Sequence, residues 1–196
     1  MTAINDRGEA FEAAGPRLLI LTGASHTGKT SVAREVLRLL PAPAAFLSVD
    51  ETIHTALVRP PGDPWAQIPL AYELLRLQAE ALLDRGWLVV FESTFTYVPA
   101  SGRPQFHGDE LERLIGVAKD RKVPWTVAQL GASPDELGSR VAETNRLPRS
   151  VVDRTAELHG AAALPETTLR LDSGAEAPQE LARRITAELS RRSDLA

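Results

Sequence analysis

The residues Gly23-Ala24-Ser25-His26-Thr27-Gly28-Lys29-Thr30 fit the pattern G-x-x-x-x-G-K-[ST] without a mismatch. The chemistry that spacing serves is polyphosphate binding. Glycines at both ends let the backbone turn tightly enough to aim successive N–H groups into one concavity, and a helix starting at the lysine adds the positive end of its dipole. In such a loop Lys29 reaches the β and γ phosphates of a nucleoside triphosphate, ATP or GTP, and the Thr30 hydroxyl ligates Mg2+. The expected nucleotide site therefore runs from Gly23 through Ser31, with Ala24, Ser25, His26 and Thr27 contributing backbone. His26 holds one of the unspecified positions, and its side chain is assigned no role.

Two further groups of residues are placed to act on the phosphate. The segment AFLSVD ends at Asp50, a carboxylate suited to orient an acceptor hydroxyl and take its proton as it attacks the γ-phosphoryl. The alternative is that Asp50 caps a helix over ETIHTAL. The run WLVVF leads into Glu92-Ser93-Thr94. There Glu92 could hold Mg2+ or touch a substrate hydroxyl, and Ser93 and Thr94 could hydrogen-bond a substrate, or all three could form a polar strand end.

Arginines supply the remaining charge. Arg140, Arg146 and Arg149 cluster around Pro148, with Arg154 following. Guanidinium forks near such a break can close over a triphosphate as a lid, here over about residues 138–158, with Arg146 or Arg149 meeting phosphate and Arg140 the nucleotide. The other reading is a solvated helix face, with pairs such as Arg140 and Glu143 at three-residue spacing.

The elements that must position these groups follow from periodicity. Short apolar runs at Arg17–Leu21, Ala45–Val49, Trp87–Phe91, Trp125–Leu130 and Thr168–Leu171 alternate with helical patterns at Lys29–Leu40, Pro69–Arg85, Asp109–Arg121, Pro134–Thr144 and Ala177–Arg191. That is the signature of βα units around a parallel sheet, hence an α/β fold with five strands. Pro41 and Pro43 stop the first helix, Asp109 is a candidate N-cap, and Ser133 with Glu136 spells a capping box ahead of Pro134. Val58–Pro69, with four prolines, and Thr96–Gly108 read as loops. They leave the carboxyl ends of strands, where ligands bind in open sheets, and carry Trp65, Tyr97 and Phe106, with Phe95 just before them.

Composition bounds the rest. The 196 residues are 43% apolar and 24% charged, in keeping with one globular domain over 17–196 behind an extension of 1–16. No aliphatic run approaches the ~18 residues of a spanning helix, so no membrane role is expected. The absence of cysteine excludes thiolate chemistry and disulfides and makes the cytoplasm the default location. A net charge of −4 argues against bulk binding of nucleic acid. His54 and His107 have no partner at metal-ligand spacing.

The chain resembles the small kinases of nucleoside-monophosphate-kinase type, and among them the chloramphenicol phosphotransferase-like family. The resemblance lies in GASHTGKTSV, LLPAPAAFLSVDE, ESTF, the pair Arg146-x-x-Arg149 and TLRLDSG before a closing helix. It implies a single-domain P-loop fold with a five-stranded parallel sheet, Asp50 as general base, and Arg146 and Arg149 as lid arginines. The expected activity is transfer of the ATP γ-phosphate to a hydroxyl of a small molecule such as an antibiotic or other secondary metabolite. Polynucleotide 5′-kinases share the architecture but typically carry arginine where this chain has Ile53, and Arg59, Arg103 and Arg113 would have to line a strand groove. Toxin kinases of nucleotide sugars and a nucleotide-binding regulatory protein are the other readings. Oligomeric state has no signature in the sequence.

Overall fold

The computed structural model describes residues 2–4, 10–12, 15–40, 43–57, 67–97, 105–144 and 148–193. Five parallel strands form the central sheet: β3 (Arg17–Gly23), β4 (Ala44–Ser48), β5 (Leu88–Glu92), β8 (Trp125–Gly131) and β9 (Leu169–Asp172), in the order β4-β5-β3-β8-β9. Two small antiparallel ladders stand apart, β1 (Thr2–Ile4) with β2 (Ala10–Glu12), and β6 (Thr96–Tyr97) with β7 (Gln105–Phe106). The first ladder lies within the expected N-terminal extension, and the second within the segment expected to be a loop.

The strands are apolar throughout because both faces are covered. Leu18, Ile20, Val89, Phe91 and Val127 pack under α3 (Ile68–Leu83) and α4 (Gly108–Asp120). Leu19, Leu21, Val90, Ala128 and Leu130 pack under α1 (Lys29–Leu39) and α7 (Pro178–Ser193). The central strand β3 lies between β5 and β8, and its register puts Leu21 beside Glu92 and Gly23 beside Leu130. The loop leaving β3 is thereby held at the carboxyl edge of the sheet, flanked by the ends of both neighbours.

Several local expectations need correction. Strand β4 stops at Ser48, which caps the short helix α2 (Val49–Glu51) by accepting the Glu51 amide at 3.3 Å. Asp50 is therefore neither a strand end nor the cap; it sits in the first turn of α2, which continues as a π-helical turn over Thr52–Ala56. Helix α4 starts at Gly108 behind His107, leaving Asp109 in the first turn, where its charge still complements the helix dipole. Pro69 lies inside the first turn of α3, where a missing N–H is tolerated. The arginine-rich region is largely two helices, α5 (Pro134–Thr144) and α6 (Arg149–Ala161), joined by Leu137, Val141 and Val152. The second of these has no counterpart in the periodicity reading. The Ser133 capping box is present: Ser133 Oγ accepts the Glu136 amide at 3.3 Å, and Glu136 Oε2 accepts the Ser133 amide at 2.8 Å. Pro41, Arg59, Trp65, Arg103, Arg146 and most of the two acceptor-side loops lie outside the described residues.

Candidate active site

The phosphate loop closes where β3 gives way to α1. A Cβ on Gly23 would fall 2.3 Å from the Leu130 carbonyl oxygen and 2.9 Å from Thr27 Oγ1, and its φ of +144° is one that side chains disfavour, so only glycine fits. Gly28, at φ +81°, is the left-handed residue from which α1 starts, and no side chain caps that helix. Its first amides face the loop as a donor set for an anion. The loop folds onto one acceptor: the Ala24 carbonyl receives Thr27 Oγ1 and Lys29 Nζ, each at 2.9 Å.

Lys29 is 6% exposed. Burial draws its pKa below the ordinary lysine value, while the charges of Glu92 and then Asp50 oppose that shift. Its hydrogen bond among the described residues goes to a neutral carbonyl, and a phosphate would satisfy the ammonium better. Ser25 is half-buried in the loop, and Ser31 is exposed on the first turn of α1.

Thr30 Oγ1 donates to Glu92 Oε1 at 2.9 Å, joining the start of α1 to the end of β5. Glu92 is 4% exposed, and its other oxygen, Oε2, has no hydrogen-bond partner among the described residues. A buried carboxylate oxygen without a partner, beside a hydroxyl at the end of a phosphate loop, fits a divalent cation of the Mg2+ kind. Asp50 is exposed on α2, forms no ion pair or hydrogen bond with the described residues, and is close enough to act electrostatically on Lys29. The structure thus gathers Lys29, Thr30, Glu92 and Asp50 at one edge of the sheet.

Ser93 and Thr94 are employed otherwise. Ser93 Oγ lies 2.6 Å from Tyr72 Oη and accepts the Phe95 amide at 3.1 Å, while Thr94 Oγ1 donates to the Thr96 carbonyl at 3.1 Å. Their hydroxyls shape the turn after β5, whose Phe95 is fully buried at φ +50°. Tyr72, Phe91 and Phe95 stack beneath it with centroids 5.6–6.5 Å apart. Burial among these rings raises the Tyr72 pKa well above its ordinary value.

The arginines divide. Arg140 reaches the loop from outside: Nη1 donates to the His26 carbonyl at 3.1 Å, and Nη2 to the Ser173 carbonyl at 2.6 Å. Arg149 lies against Gly138, with Nε on Asp153 Oδ1 at 2.7 Å and Nη2 on the Pro134 carbonyl at 2.6 Å. It stitches α6 to the start of α5, and the structure does not aim it at the loop. Residues missed by sequence reasoning are Thr144, which pairs with His26 at 2.8 Å, and His159 on α6. His159 is 4% exposed, meets Phe106 edge-on at a centroid distance of 5.6 Å, and is held to a pKa of about 4 by burial and the Lys29 charge. Neither residue has a sequence signal, because both depend on how α5 and α6 fold back onto the sheet.

A five-stranded parallel sheet with this strand order and a phosphate loop leaving its central strand defines a P-loop nucleotide-binding domain of the fold shared by small kinases. Residues 18–162 match the family model described as an AAA domain, AAA_33, and the chain belongs to that family. Similar solved structures include a tunicamycin resistance protein from Deinococcus radiodurans, 20% identical over 89% of this chain and 95% of that one, with a TM-score of 0.62. An APS kinase from Mycobacterium tuberculosis in complex with AMPPNP and APS is 18% identical over 90% of this chain and 98% of its own, at 0.64. A gluconokinase from Sinorhizobium meliloti 1021 is 18% identical over 94% and 96%, at 0.61. No curated protein matches the chain. Among the described residues no helix is long and apolar enough to cross a membrane.

Proposed function

We propose that this chain is an ATP- and Mg2+-dependent kinase that moves the γ-phosphoryl group to a hydroxyl of a small molecule. The observation that carries the reading is the convergence of a buried loop lysine, the Thr30–Glu92 pair with its unpartnered Oε2, and the exposed, unpaired Asp50. In this reading the amides of Gly23 to Thr30 and the Lys29 ammonium bind the triphosphate, and Thr30 and Glu92 hold Mg2+. The cation, when bound, neutralises charge on the phosphate oxygens. Asp50 orients the acceptor hydroxyl and takes its proton. Arg146, two residues beyond Thr144, is the arginine proposed to meet phosphate. Arg149 serves the α5–α6 packing and Arg140 supports the loop from outside.

A small acceptor is supported by structural neighbours named as APS kinase and gluconokinase, and an antibiotic or other secondary metabolite by the resemblance to the chloramphenicol phosphotransferase-like family. A nucleic-acid end is the weaker reading. Of the arginines that would line a strand groove, the described Arg113 is engaged with Glu110 at 2.8 Å and Asp109 at 3.8 Å. The test is a product-mass screen with ATP and Mg2+ over gluconate, APS, tunicamycin, chloramphenicol, other hydroxylated metabolites and oligonucleotide 5′ ends, beside a Lys29→Ala control. Phosphorylation of a small molecule by the wild type alone supports the reading; activity confined to oligonucleotides, or equal activity in the control, rejects it.

A further inference from the structure

His26 sits among the loop positions where backbone, not side chain, faces phosphate, yet its side chain is bonded across the molecule. Its Nε2 lies 2.8 Å from Oγ1 of Thr144, the last residue of α5. The Thr144 hydroxyl also lies 3.1 Å from the Arg140 carbonyl, and a hydroxyl has one proton to give. Spent on that carbonyl, the proton leaves Thr144 an acceptor toward His26, whose Nε2–H donates. From the same helix Arg140 donates to the His26 carbonyl at 3.1 Å. Arg140 is itself anchored on Ser173, whose amide and hydroxyl donate to the Gly131 carbonyl at 2.8 and 2.9 Å.

One residue of the loop is therefore held by both its side chain and its carbonyl, and it has a φ of +67°. A non-glycine residue keeps that conformation when its surroundings over-determine it. Left-handed residues set among right-handed ones are also what turn successive N–H groups into one anion-binding concavity. Helix α5, for its part, buries little of itself: Leu137 and Val141 against Val152. Beyond that contact it is held by hydrogen bonds: Arg149 of α6 on the Pro134 carbonyl, Arg140 on Ser173 and the His26 carbonyl, and Thr144 on the His26 ring.

We propose that His26 is a positioning residue for the triphosphate: through Thr144 and Arg140 it braces the loop in its anion-binding curl, so that phosphate binding and the docking of α5 strengthen each other. This rests on the reading that the loop takes a nucleoside triphosphate. Reciprocity follows from linkage, since whatever α5 does for the affinity of the loop, the bound phosphate does for α5.

The experiment measures AMPPNP–Mg2+ affinity by calorimetry in wild type, His26→Ala, Thr144→Val, the double variant and Thr144→Ser. It is paired with amide hydrogen exchange over Pro134–Thr144, with and without AMPPNP. His26→Ala and Thr144→Val should each weaken binding about fivefold, the scale of one lost hydrogen bond, with little change in melting temperature. The double variant should be no worse than the single ones, because both remove the same bond, and Thr144→Ser should bind as wild type. AMPPNP should slow exchange in α5 of the wild type, and His26→Ala should abolish that protection. Unchanged affinities, independent losses in the double variant, or α5 exchange indifferent to AMPPNP in the wild type would each overturn the proposal. The last readout needs no variant to fold. Failure of the underlying reading is separate: Lys29→Ala would then bind AMPPNP as well as wild type.

Discussion

The Thr30 hydroxyl donates to Glu92 at 2.9 Å across 62 positions of sequence, and the second oxygen of that carboxylate is buried without a partner among the described residues. The pair ties the first turn of α1 to the tip of β5 and leaves one acceptor in reserve. An acceptor kept dry and unpaired is costly unless something arrives to use it.

Glu92→Gln should therefore spare the fold and remove the benefit of Mg2+. AMPPNP affinity without metal should stay near wild type, whereas the gain on adding Mg2+ should fall by about tenfold or more, the usual effect of altering a group at a metal site. Calorimetry with and without Mg2+ measures both values; an undiminished Mg2+ effect would assign the carboxylate to structure alone.

Asp50 is exposed and unpaired on α2, so Asp50→Asn should change stability by no more than about 0.5 kcal/mol. Nucleotide affinity should also hold. Turnover with whichever acceptor the screen identifies should drop about 10²-fold, as for a lost general base. Steady-state rates beside a denaturation curve check this, and full turnover would remove Asp50 from the proton path.

Gly23→Ala meets the Leu130 carbonyl at 2.3 Å from a backbone at φ +144°. The loop must open to admit the methyl, at a cost of about 1–3 kcal/mol for the strained backbone. Chemical denaturation should show the loss and calorimetry should show AMPPNP binding abolished. Gly116→Ala, in open space within α4, serves as the control expected to be harmless.

Acid should destabilise the protein through His159. Its folded pKa of about 4 lies below the ordinary 6.5, so the unfolded chain binds the proton more readily between those values. Stability contributed by the neutral, buried ring is present above pH 6.5 and is lost as pH falls toward 4, reaching about 3 kcal/mol at about 1.4 kcal/mol per unit. Urea unfolding at stepped pH should reveal this slope. His159→Phe should flatten it, since the replacement carries no group that titrates in this range.

The five strands, most helices and the whole phosphate loop were legible in the chain because each is governed by neighbours in sequence: alternating apolar runs, caps such as Ser133 with Glu136, and a loop whose glycines and lysine are contiguous. The donors it presents are backbone amides, aimed by local dihedral angles that the glycine spacing dictates. Tertiary structure alone decided which long side chains serve that loop. Arg140 ends on the His26 carbonyl and Arg149 on Pro134 and Asp153, although both stand in the same arginine-rich stretch. Only the packing of α6 buries His159 beneath Phe106, and only the β3–β5 register brings Glu92 to Thr30. The reason is physical: backbone donors are aimed by local dihedral angles, whereas the partner of a guanidinium, imidazole or carboxylate is chosen by which distant elements the core brings within its reach.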